Sequence, residues 1–126
     1  MTAEARPDDP SPHGRVLVVE DTFLIAESLA AMLEDLGYGL AGPVPTNAQA
    51  LDLLETQHVD AALLDVSLRG ELVIPVADRL AALGSPFAFL TAHADLTVLP
   101  AQYRSVPTIR KPCTPEVLAA WLAETL

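Results

Sequence analysis

Val16-Leu17-Val18-Val19 is an unbroken apolar run that stops on two acids, Glu20-Asp21, and three further strand-like stretches downstream also end on polar residues. Val59 to Leu64 stops on Asp65, Phe87-Ala88-Phe89-Leu90 stops on Thr91, and Val106 to Arg110 runs into Lys111-Pro112. Continuous apolar runs of this kind suit parallel strands that are covered on both faces. Pro107 marks the last of them as an edge. The stretches between the runs carry helical spacing. Ile25, Leu29, Met32 and Leu36 form one apolar stripe, closed by Gly37. Gly39 to Gly42 predicts a short strand before Pro43 and Pro45, and Thr46-Asn47-Ala48-Gln49 reads as a capping box ahead of Ala50, Leu53 and Leu54. Val73, Val76, Leu80 and Leu83 mark a further helix, with Pro75 in its first turn and Gly84 at its end. Thr114 and Pro115 open a last helix that turns Val117, Leu118, Trp121 and Leu122 inward. Residues 95–100 predict only about one helical turn, stopped by Pro100. The order is strand–helix repeated five times. Right-handed crossovers make it an α/β, doubly wound, five-stranded parallel sheet with a short or irregular fourth helix.

The chain has 126 residues, 51% of them apolar and 19% charged, which suits one domain with one core. Residues 1–14 hold three prolines and three acids and hardly any aliphatic side chain, which predicts a disordered tail ahead of a domain over 15–126. Seven basic against seventeen acidic residues give a net charge of −10. That balance argues against nucleic acid or an anionic membrane as partner. The single cysteine, Cys113, excludes an internal disulfide framework. With no leader and no long apolar run, a cytoplasmic protein is expected.

In a doubly wound sheet the functional crevice lies at the carboxyl ends of the strands. Glu20, Asp21, Asp65, Thr91 and Lys111 all fall there. Three carboxylates at one edge repel one another, and a divalent cation removes that cost. Mg²⁺ suits hard oxygen ligands and keeps waters that a phosphate can displace. No His or Cys accompanies the acids at zinc spacing. A carboxylate beside such an ion can attack phosphorus, while a cation and a hydrogen-bond donor hold the transferred oxygens. Lys111, the chain's one lysine, and Thr91 would supply these.

These residues, taken in order at successive strand ends, closely resemble the receiver domain of bacterial two-component response regulators, over roughly residues 14–126. Asp65-Val66-Ser67-Leu68-Arg69-Gly70-Glu71 and Pro86-Phe87-Ala88-Phe89-Leu90-Thr91 resemble the single-domain FATGUY regulators, although Ala92-His93 stand where a glycine and usually an aromatic are expected. The resemblance implies the flavodoxin-like (βα)5 receiver fold, with Asp65 as phosphoacceptor. Mg²⁺ would be held by Asp21, Asp65 and the main-chain carbonyl of Ser67, with Glu20 acting through water. Thr91, Ala92 and Lys111 would form the phosphoryl-binding and switch group, and Pro112 would follow a cis bond. The phosphoryl donor would be a histidine kinase or histidine phosphotransferase, and the readout a changed surface for an output protein. On this reading the chain is not an enzyme beyond its own phosphorylation and dephosphorylation.

Two departures bear on mechanism. Thr108 stands three before the lysine, where receivers usually carry an aromatic switch residue. The spacings from Asp65 to Thr91 and from Thr91 to Lys111 are also short. Activation is therefore expected to run through Thr91, Lys111 and the 92–100 loop. An alternative is a Mg²⁺-dependent phosphohydrolase with an aspartyl nucleophile, but its general acid would fall at Ser67. A second is a receiver-like interaction module that is never phosphorylated. His13, His58 and His93 read as solvent-facing, and Cys113 and Trp121 as packing. Phe87 and Phe89 are expected to face different surroundings.

Overall fold

The first strand of the sheet is dictated by Val16 to Val19, none of which retains any exposed surface. The computed structural model of the chain describes residues 13–92 and 98–126. In chain order its elements are β1 (Arg15–Val19), α1 (Phe23–Asp35), β2 (Gly39–Val44), α2 (Asn47–Thr56) and β3 (Ala61–Asp65). A two-residue pair, β4 (Ser67–Leu68) and β5 (Glu71–Leu72), precedes α3 (Ile74–Leu83) and β6 (Phe87–Thr91). A 3-10 turn (Ala101–Tyr103), β7 (Thr108–Arg110) and α4 (Pro115–Thr125) complete it. The main sheet is parallel with order β2-β1-β3-β6-β7. Strand order reverses between β1 and β3, the position at which doubly wound sheets open their crevice. The doubly wound α/β fold expected from the sequence is thus the fold observed.

Alternation along each strand divides the core in two. Leu17, Val19, Ala62, Leu64, Phe87 and Phe89 pack with α2 and α3 residues on one face, and Val16, Val18, Ala61, Leu63, Ala88 and Leu90 with α1 and α4 residues on the other. Phe87 and Phe89, two apart, therefore share one face instead of dividing between two. Their rings meet edge to face at 5.5 Å, and Tyr103 packs on both at 5.8 and 6.1 Å.

The helix starts follow local chemistry. Thr46 Oγ1 accepts from the Gln49 backbone N–H at 3.1 Å, and Thr114 Oγ1 from that of Val117 at 3.2 Å. Gly84 ends α3 in the left-handed region. Gly42 has φ +87° and precedes a cis Pro43; a Cβ there would stand 2.8 Å from the Val44 nitrogen and 3.0 Å from the Val18 carbonyl, so only glycine fits this approach of β2 to β1.

Several expectations need correction. Val117 and Leu83 are 48% and 47% exposed, because each lies one position beyond the stripe its helix buries. On α1 the fully buried residues are Ala26, Leu29 and Leu33, leaving Ile25, Met32 and Leu36 half-buried at the margin. Pro100 begins a 3-10 turn instead of ending a helical one: it is the N-cap of Ala101–Tyr103, and its carbonyl accepts from Tyr103. The 95–97 part of the expected turn, and His93, lie outside the described residues, as do residues 1–12 of the expected tail. His13 is exposed, with its ring 5.5 Å from that of Tyr38. The fifth strand begins at Thr108, since Pro107 has no N–H, although its carbonyl accepts from Phe89 at 2.9 Å. The β4–β5 hairpin was not legible as strands. Among the described residues no helix is long and apolar enough to cross a membrane.

Candidate functional site

Strand register gathers the polar residues. Val19 pairs with Leu64, Asp65 with Leu90, and Thr91 with Arg110. Glu20, Asp65, Thr91 and Lys111 therefore leave adjacent strands at nearly one level. Two backbone bonds hold that edge: Glu20 N–H donates to the Val44 carbonyl at 3.0 Å, and Lys111 N–H to the Thr91 carbonyl at 2.9 Å. The Lys111–Pro112 peptide is cis. An open cavity of about 660 Å³ is lined by Asp21, Asp65, Ser67, Thr91, Ala92 and Lys111, with Leu72 and Val98 at its rim.

Glu20 is the most enclosed acid of this edge, with 2% of its surface exposed, and Asp65 keeps 6%. The Lys111 ammonium stands 3.0 Å from Glu20 Oε2 and 3.2 Å from Asp65 Oδ1, and so joins the two carboxylates. Glu20 Oε1 accepts from the Thr22 backbone N–H at 3.2 Å. Asp21 is half-buried, and its Oδ2 accepts from the Arg69 backbone N–H at 2.9 Å. Burial, then the hydrogen bond and the negative charge of Glu20, raise the Asp65 carboxyl to about 7, against the smaller lowering effect of Lys111. Burial works against the charge on Lys111, but its bond to Glu20 and the charges of Asp65 and Glu20 outweigh it and raise the ammonium. The cation stays charged while the acid beside it is poised near neutrality.

Ligand oxygens of Glu20, Asp21 and Asp65 lie within 4.8 Å of one another, the one such group of three among the described residues. Hard oxygen donors at this density fit Mg²⁺, and the ammonium of Lys111 already shows that a cation is favoured between two of them. A carboxylate, a fixed ammonium and a threonine at one open cavity are groups that phosphoryl transfer can use.

Other residues lie away from this edge. Thr108, half-buried, turns its hydroxyl to the Val106 carbonyl at 3.3 Å, which is a local strand-end contact. His58 is exposed and meets Asp60 at 3.0 Å. Cys113 is half-buried beside α4, where burial raises its thiol. Three contacts escaped the sequence reading. Tyr103 bonds Asp78 of α3 through its hydroxyl, Asn47 holds β5, and the Arg69 main chain holds Asp21. Only the last had a signal, the Gly70 of a tight two-residue turn.

The model of the response regulator receiver domain family matches residues 16–123. Transcriptional regulatory protein PdtaR of Mycobacterium tuberculosis is 32% identical over 95 residues, covering 75% of this chain and 46% of that protein. The positive alginate biosynthesis regulatory protein of Pseudomonas aeruginosa is 35% identical over 108 residues, covering 82% of this chain and 44% of that one. The chain thus spans less than half the length of these curated relatives. The solution structure of SdrG from Sphingomonas melonis superposes with a TM-score of 0.77 at 43% identity, covering 86% of this chain and 92% of that one. Fold, strand-end residues and family match agree, and the chain belongs to the response regulator receiver domain family.

Proposed function

We propose that this receiver takes a phosphoryl group onto Asp65 from a phosphohistidine of a kinase or phosphotransferase, with Mg²⁺ bound at Asp21, Asp65 and the Ser67 carbonyl and Glu20 acting through water. The observation that carries the reading is the Asp65 carboxyl set 3.2 Å from the Lys111 ammonium, in the acid cluster and open to the cavity.

In the reaction an Asp65 carboxylate oxygen attacks phosphorus in line with the departing imidazole nitrogen. The P–N bond breaks, its electron pair stays on nitrogen, and the imidazole takes a proton from solvent. When bound, the metal ion neutralises oxygens of the transferred group and lowers the proton affinity of Asp65. Lys111 exchanges its contact with Asp65 for a phosphoryl oxygen, and Thr91 supplies a hydroxyl donor. Glu20 keeps the ammonium in place through its 3.0 Å pair. The phosphorylated side chain carries about −1.5 to −2 at neutral pH in place of the carboxylate's single charge, enough to bias a bistable surface that an output protein reads.

Incubation with acetyl phosphate and Mg²⁺ should add one phosphoryl mass to the chain and none to Asp65→Ala. Labelling of Asp65→Ala at the level of the unsubstituted protein would overturn the assignment. A folded chain that takes no label from acetyl phosphate or from any phosphorylated kinase would instead mark a receiver used only as an interaction module.

A further inference from the structure

The residues between Asp65 and α3 form a hairpin whose two ends are both anchored. Leu68 pairs with Glu71 and Ser67 with Leu72, so Arg69 and Gly70 are the two central residues of the turn. Their φ angles are +50° and +87°, the both-positive combination of a type I′ hairpin turn. Arginine is not a residue that favours this region, so the surroundings must hold it there. At the tip its backbone N–H donates to Asp21 Oδ2 at 2.9 Å. At the base, Asn47 Nδ2 donates to the Leu72 carbonyl at 3.0 Å and meets Glu71 Oε1 at 3.3 Å. Asn47 is the first residue of α2 and is buried, and its Oδ1 has no hydrogen-bond partner. An apolar residue would fill that position without an unsatisfied oxygen. What the amide provides is the pair of donor contacts to β5.

We propose that the Ser67–Leu72 hairpin positions the carboxylate of Asp21 for its metal, with the Arg69 backbone N–H orienting the carboxylate and Asn47 fixing the hairpin to α2. The inference rests on the Mg²⁺ site proposed above. Asp21 lies two residues past the end of β1 and is only half-buried, so its side chain has rotamer freedom that Glu20, locked between Thr22 N–H and Lys111, does not have. Occupying Oδ2 with a main-chain donor selects one orientation of the carboxylate and leaves its other oxygen available to an ion. Arg69 and Asn47 are positioning residues: neither would touch the ion. By linkage, an ion on Asp21 should also steady the hairpin.

The test uses glycine substitutions that are alike in strain and differ in place. Gly70 and Gly84 have φ +87° and +76°, and a Cβ at either would meet nothing within 4 Å. Gly70→Val and Gly84→Val therefore impose comparable backbone strain, one at the hairpin and one at the remote end of α3. Calorimetric Mg²⁺ titration of the unphosphorylated protein is expected to show about tenfold weaker binding for Gly70→Val, the low end of what losing an outer-shell partner costs. Gly84→Val should match the unsubstituted chain, and Gly70→Asn, which tolerates positive φ, should recover most of the affinity. Gly70→Val combined with Asp21→Asn should bind no more weakly than Asp21→Asn alone, since both remove the same ligand geometry. A Gly70→Val affinity equal to that of the unsubstituted protein would overturn the proposal. So would equal weakening by Gly84→Val. Should Gly70→Val not fold, exchange of the Arg69 amide hydrogen decides in its place: Asp21→Ala should speed it, and unchanged exchange would sink the inference. Absence of Mg²⁺ binding by the unsubstituted chain would count against the proposed function itself, a result separate from either of these.

Discussion

Mg²⁺ binding is expected to be strongly pH-dependent, because the ligand Asp65 holds its proton to about 7 in the metal-free protein. An ordinary aspartate releases its proton near 3.8, so folding favours the neutral form of this side chain. That contribution to stability is fully present below pH ~4 and is lost as pH rises through about 7. Metal binding requires the carboxylate, so the ion and the proton compete. With a midpoint of about 7, roughly nine tenths of Asp65 is ionised at pH 8 and about one hundredth at pH 5. The apparent Mg²⁺ affinity should therefore fall about ninety-fold between these values if one proton is displaced. Titration calorimetry at pH 8, 7, 6 and 5 would measure the slope. Buffers of different ionisation enthalpy at pH 6 should report close to one proton released per ion. Asp65→Asn should bind weakly and lose the dependence. An affinity constant within twofold across this range, with no proton release, would refute the reasoning. It would mean that Lys111 offsets burial and Glu20 completely.

Four further outcomes are expected. Lys111→Met, measured at pH 9 where Asp65 is ionised, should bind Mg²⁺ about tenfold more tightly, since a unit charge a few Å from the ion is removed; unchanged or weaker binding would contradict the placement of the ammonium. Phe89→Ala should cost about 3–5 kcal/mol in urea unfolding, whereas the exposed Val117→Ala should stay within about 0.5 kcal/mol. Tyr103→Phe should cost about 1 kcal/mol through the lost bond to Asp78, and a double-mutant cycle with Asp78→Ala should show coupling of similar size. Beryllofluoride with Mg²⁺ should slow backbone hydrogen exchange over residues 66–72 and 92–103 more than over Thr108–Arg110, because Thr108 is tied to its own strand end while Tyr103 packs on Phe89, in the strand that ends at Thr91. Protection centred on residues 106–110 alone would reverse that expectation.

The sequence by itself determined the five strands of the main sheet and their succession along the chain. Val16 to Val19 and Ala61 to Leu64 are apolar without interruption, and only strands covered on both faces bury every residue of such a run. It also determined where the chemistry stands, because a parallel sheet places all strand carboxyl ends on one edge, and Glu20, Asp65, Thr91 and Lys111 each stand at such an end. The caps Thr46 and Thr114 were equally local, since each bond spans three residues. Decisions between distant segments were left to the tertiary structure. Spacing alone did not show that Lys111 reaches both Glu20 and Asp65, a result of the β1–β3–β6–β7 register. Nor did it show that burial and Glu20 outweigh that lysine in setting the proton affinity of Asp65. The helix margins at Ile25, Leu83 and Val117 depended on how each helix rolls on the sheet, to which a stripe one residue wide is insensitive. Arg69 in the left-handed region and the buried amide of Asn47 run against local preference. Both are held by partners 48 and 25 residues away in the chain, and the contacts that hold them form only once the fold has closed.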